Sequence, residues 1–136
     1  MDRAESFAAI ALAAVACDGV LGRDEAHALR CELEYRTPYR GRSDAQMAEL
    51  FDGLLAVLRH SDGLSRLVDQ ALPQLTAQQQ ETALAVAAQL VHADRVIAAE
   101  EQAFLDMLCA RVQLPEGRAQ AIVAAIEALN RDSLAS

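Results

Sequence analysis

From Phe7 to Leu129, apolar residues recur every three or four positions, and no stretch alternates as a strand would. That periodicity confines the chain to an all-α fold of about seven helices. The first lies near residues 3–17, with Phe7, Ile10, Ala14 and Val15 on one face. The second, near 23–36, carries Ala26, Leu29 and Leu33. Ser43 and Gln46 form a capping box that opens a third helix bearing Met47, Leu50, Phe51, Leu54, Leu55 and Leu58. A fourth begins after Ser61 or Asp62, carries Leu64, Leu67, Val68 and Leu72, and stops at Pro73. Thr76 and Gln79 repeat the capping box for a fifth, with Leu84, Ala87, Leu90 and Val91 inward. The sixth shows Phe104, Leu105, Leu108 and Val112. Leu114-Pro115 is expected to end it and to start the seventh, with Pro115 at the first helical position. Ile122, Val123, Ile126 and Leu129 form that helix's expected buried stripe. Short connections make neighbouring helices antiparallel or sharply angled. The longest irregular stretch is "YRTPYRGRSD", residues 35–44.

A chain of 136 residues fits one domain, spanning residues 1–136, with a core large enough to need no staples. Alanine supplies about a fifth of it and aromatics only 4%, so small helices packed closely on Ala faces are expected. Net charge is −8, and all twelve basic residues are arginine. Such a chain repels phosphate backbones, which argues against nucleic-acid binding and favours cations or a basic partner. Cys17, Cys31 and Cys109 form no C-x-x-C pair and sit in helical, apolar contexts, as expected of reduced thiols in a cytoplasmic protein. The apolar run "FAAIALAAVAC" is too short to span a bilayer, which takes about 20 residues. Asp2 and Glu5 also spoil the positive flank of a secretion signal, so it reads as the first helix of a soluble protein.

A shift of 76 residues superimposes the sequence on itself. Asp18 falls on Asp94, Val20 on Val96, Leu21 on Ile97, Asp24 and Glu25 on Glu100 and Glu101, and Leu29 on Leu105. The chain is therefore expected to be a compact pseudo-symmetric bundle built from two repeated helix–loop–helix units. Asp, Gly, a hydrophobe and Glu in this spacing match the second half of an EF-hand loop. The first half is missing, because Ala14 and Ala16, or Leu90 and His92, stand where ligand oxygens belong. If the loops meet, Asp18, Glu25, Asp94 and Glu101 form a four-carboxylate cluster suited to Ca²⁺, Mg²⁺ or Mn²⁺, with His92 tilting preference toward Zn²⁺. The structural alternative makes Glu25 and Glu101 partners of helix dipoles. Asp18 and Asp94 then close turns, Gly19 is a left-handed cap, and Val20-Leu21 and Val96-Ile97 are plugs pinning the loops to the core.

Two copies of this Asp-Gly, hydrophobe and Glu motif, the second written "ADRVIAAEEQAFL", resemble the tellurite-resistance protein B (TerB) family over residues 4–130 or so. The resemblance implies a compact helical fold and a divalent-cation site carried by Asp18, Glu25, Asp94 and Glu101. It also implies an association with bacterial tellurite and metal-stress responses. TerB-like domains also occur beside a membrane-anchored J-domain co-chaperone, which implies a protein-interaction module at a membrane surface. Arg95, where glycine is commoner, is the departure; its guanidinium beside Asp94 competes with a metal there.

The loop "YRTPYRGR" gathers Arg36, Arg40 and Arg42 beside Tyr35 and Tyr39. It is either a clamp for an oxyanion, a lipid phosphate or an acidic partner, or a solvated loop whose arginines offset nearby acids. Asp62-Gly63 lacks the hydrophobe and reads as a helix start. No nucleophile, base or cofactor motif is present, so no enzyme activity is expected. Two functional readings follow: a TerB-like domain binding a divalent cation, or a metal-free module for a protein partner. Ala-rich helix faces also suit a homodimer.

Overall fold

A computed structural model describes residues 1–19, 21–93 and 96–136. Among them are seven helices and no strand: α1 (Arg3–Ala16), α2 (Arg23–Leu33), α3 (Asp44–Leu58), α4 (Gly63–Ala71), α5 (Ala77–His92), α6 (Ala99–Arg111) and α7 (Arg118–Leu129). A 3₁₀ turn, Leu72–Gln74, extends α4 to Pro73 and beyond. No helix among the described residues is long and apolar enough to cross a membrane.

The first helix is buried all round rather than on one face. Every residue from Ala8 to Val15 is inaccessible to solvent or nearly so. Alanine makes this feasible, since a helix side without long side chains admits a neighbour at short interaxial distance. α5 and α4 pack most extensively on α1, and α2, α3 and α6 also touch it. At its start, the Asp2 carboxylate accepts the Glu5 N–H at 2.7 Å, and the Glu5 carboxylate accepts the Asp2 N–H in return. The predicted boxes at Ser43/Gln46 and Thr76/Gln79 form in the same way. Asp62-Gly63 begins α4 as expected.

α5 is the second core helix, burying Ala83, Leu84, Val86, Ala87, Ala88 and Val91. α6 adds Phe104, Leu105 and Leu108. α7 lies on α5 from outside. Two polar links pin it there: Arg118 forks onto Glu81 at 2.8 and 3.1 Å, and Asn130 donates to the Gln89 side chain at 2.8 Å. Its expected stripe is only half covered. Ile122, Val123 and Ile126 are partly buried, whereas Leu129 is 74% exposed, as α7 packs chiefly on α5.

Three helix boundaries differ from the sequence reading, the first being α6, which ends at Arg111 rather than at Leu114-Pro115 because Val112 is already extended. α2 ends at Leu33 instead of 36, where successive turns through Arg42 begin. α7 does not start at Pro115. Pro115 opens a turn closed by the Arg118 N–H on its carbonyl at 3.0 Å, and Gly117 (φ +81°) sets the helix entry. A left-handed Gly just ahead of the helix overrides the proline signal.

The link between these chain segments is Gln80, which is buried although polar. Its amide nitrogen donates to the carbonyls of Leu72 (3.0 Å) and Leu75 (3.2 Å), and its oxygen accepts the Gln113 N–H at 2.8 Å. One side chain thus satisfies the α4–α5 and α6–α7 connections together. Gln80→Leu is expected to lower unfolding free energy by about 1–3 kcal/mol, measured by urea denaturation, because it strands backbone groups. A conservative cost near zero would show that solvent already serves those groups.

Candidate functional site

The repeated turns keep their boundaries under the 76-residue shift. α1 ends at Ala16 and α5 at His92; α2 begins at Arg23 and α6 at Ala99. Gly22 and Ala98 are therefore equivalent N-caps, and Glu25 and Glu101 are both third residues of their helices. Neither cap has a side chain able to accept a hydrogen bond. Glu101 accepts the Ala98 N–H at 2.9 Å. Glu25 folds back over Gly22 so closely that a Cβ there would lie 2.6 Å from its Oε2. Acids so placed also meet the positive end of the helix dipole, at about 0.3–1 kcal/mol each.

The first turn closes with the Gly19 N–H on the Ala16 carbonyl at 3.0 Å, and Gly19 takes φ +86°, the left-handed cap that its sequence position implies. Beside it, the Cys17 thiol donates to the Ala14 carbonyl at 3.3 Å. Burial, then the negative charge of Glu101, then that of Asp18, push this thiol up to about 12. Glu100 adds a smaller contribution. The two copies therefore do approach each other: Asp18 of the first and Glu101 of the second bear on one sulfur, where α1 packs on α6. Glu25 is not among the charges that act there.

This convergence does not by itself make a metal centre. Among the described residues, no three His, Cys, Asp or Glu side chains are grouped so as to hold an ion. Asp18, Glu25 and Glu101 are not grouped in that way. Asp94 and Arg95, the fourth expected ligand and its expected competitor, lie outside the described residues. His92 is buried, with no hydrogen-bond partner for Nε2 among the described residues.

The loop hydrophobes depart from the expected plugs. Val96 is 74% and Leu21 39% exposed, and only Ile97 packs against the core. Val20 lies outside the described residues. The surface at these turns thus carries apolar side chains next to the acidic first turns of α2 (Asp24, Glu25) and α6 (Glu100, Glu101). Sequence reasoning missed Cys17 as the meeting point. Its only signal was its position just before Asp18.

Comparison with known protein families, curated proteins and solved structures finds no match for this chain.

All three cysteines are free, and Cys31 is exposed rather than set in an apolar environment. Its sulfur lies 3.5 Å from His27 Nε2. Burial, and secondarily Asp106, raises the Cys109 thiol as well. Alkylation by iodoacetamide, followed by mass spectrometry, is expected to modify Cys31 first and Cys17 last. The folded chain holds Cys17 protonated to about 12, against an ordinary 9.0. Its contribution to stability is thus intact below pH 9 and is lost as pH climbs toward 12. Cys17→Ser should flatten that alkaline loss in thermal melts.

Proposed function

We propose that this chain is a non-catalytic, TerB-like accessory domain that acts by contact, offering its paired turns to a basic, amphipathic segment of a protein partner. The observation that carries this reading is the exposure of Val96 and Leu21 beside the acidic starts of α6 and α2. Apolar anchors within a ring of carboxylates complement a partner with apolar residues flanked by Lys or Arg. Glu25 and Glu101, turned onto their own helix starts, fit this metal-free role as caps. An association with tellurite or metal stress rests on the TerB resemblance alone.

A second reading has its own support. Asp18 and Glu101 lie around one thiol, and His92 is buried without an Nε2 partner among the described residues. These are the beginnings of a divalent-cation site that Asp94 would have to complete. A hard ion held there would offset the mutual repulsion of the carboxylates.

One set of measurements separates the two. Fluorescence anisotropy of a labelled Lys/Leu amphipathic peptide should show saturable binding that Val96→Asp abolishes, whereas an acidic counterpart should not bind. Calorimetric titration with Ca²⁺, Mg²⁺, Mn²⁺ and Zn²⁺ should give no heat. The double variant Glu25→Gln/Glu101→Gln should lose about 0.5–2 kcal/mol of stability with or without ions, as lost caps do. A melting temperature raised by one of these ions, and no longer raised in the double variant, would establish the cation reading instead.

A further inference from the structure

A cleft of about 590 Å³ opens between α1, the 34–43 connection and the start of α5. Arg3 and Phe7 contribute from α1, Tyr35 and Arg36 from the connection, and Gln78 and Thr82 from α5. In a chain of net charge −8, no Asp or Glu lines this cleft. The first turn of α5, which borders it, has no acid either.

Five arginines outside the cleft, Arg30, Arg66, Arg111, Arg118 and Arg131, each meet a carboxylate. Among the described residues, Arg3 and Arg36 of the cleft, like Arg23, Arg40, Arg42 and Arg59, have no such ion pair. Arg36 is nonetheless held in place: its Nε donates to the Glu32 carbonyl at 3.1 Å, and its guanidinium carbon stands 5.4 Å from the centre of the Phe7 ring. Stacking and that single bond orient the planar fork while leaving its terminal nitrogens available as donors. Tyr39 stiffens the wall, its buried hydroxyl donating to the Ala4 carbonyl at 2.5 Å. Of the two alternatives for this loop, the held guanidinium of Arg36 favours the oxyanion clamp.

We infer that this cleft binds a phosphate monoester carried on an apolar body, with Arg36 and Arg3 on the phosphate and Phe7, Tyr35 and Pro38 against the body. Two positive charges, Arg36 held by Phe7 and the Glu32 carbonyl and Arg3 at the rim, match a dianion, and guanidinium groups recognise its oxygens in bidentate fashion. The volume suits a small molecule or one lipid headgroup. A nucleic acid is disfavoured, because a chain of net charge −8 repels an extended polyanion.

The chain supplies its own reporter, since it has no tryptophan and both tyrosines line this cleft. Intrinsic tyrosine emission of the full chain is followed while hexyl phosphate, hexanol or inorganic phosphate is added. Hexyl phosphate should change it saturably, inorganic phosphate more weakly and hexanol not at all. Arg36→Gln and Arg3→Gln should each weaken hexyl phosphate by about tenfold or more, as expected for a lost charged hydrogen bond. Arg3, exposed at the start of α1, serves if Arg36→Gln loosens the loop. Glu25→Gln/Glu101→Gln should leave the affinity unchanged, which keeps this result independent of the paired turns. Sedimentation with phosphatidic acid vesicles identifies the source: capture of the wild type but not Arg3→Gln indicates a lipid headgroup, and no capture a free ester. The inference is overturned if hexyl phosphate gives no saturable change, if hexanol binds equally, if neither arginine variant weakens binding, or if vesicles alone are bound.

Discussion

Burial of α1 on every side is the constraint on which the rest of the structure depends. A helix can be enclosed by its neighbours only if its side chains are short enough to let their backbones in, and the run from Ala8 to Ala14 meets that condition. α4 and α5 lie directly on it, and α2, α3 and α6 fill the remaining directions. α7 is left outside, resting on α5 and tethered by Arg118 and Asn130 rather than by a deep apolar stripe. The partial exposure of α7 follows from where the central helix places everything else.

The same arrangement brings the two repeated turns together. Because α1 touches both α5 and α6, the end of α1 reaches the start of α6, and Cys17 becomes the point where Asp18 and Glu101 are both felt. The acids there have immediate structural work. Gly22 and Ala98 lack capping side chains; Glu101 turns back to accept the Ala98 N–H, and Glu25 lies close over Gly22. A carboxylate that accepts a backbone N–H has less of its charge available for an ion, which weighs on the balance between contact and cation readings.

Charge is also divided unevenly over the molecule. Acids gather at the first turns of α2 and α6, while the cleft beside Arg36 contains none. Composition reports only the sum, −8, and on that sum an anion site is unexpected. Folding separates the two signs by bringing residues 3, 7, 35, 36, 78, 79 and 82 to one place.

The sequence by itself determined the helices, the two capping boxes at Ser43 and Thr76 among their starts, and the 76-residue register of the turns. Those features depend on local spacing and on hydrogen bonds between near neighbours, which a pattern records directly. It named Glu25 and Glu101 as candidate ligands and as candidate caps without choosing, because both roles use the same carboxylate. Only the tertiary structure decided that α1 is central, that Val96 faces outward and Ile97 inward, that Gln80 ties two distant connections, and that Arg36 rests on Phe7. Each of these depends on contacts between residues far apart in the chain, whose partners periodicity does not specify. Gly117 shows the local limit of the same rule: a single positive φ displaced the start that Pro115 signalled.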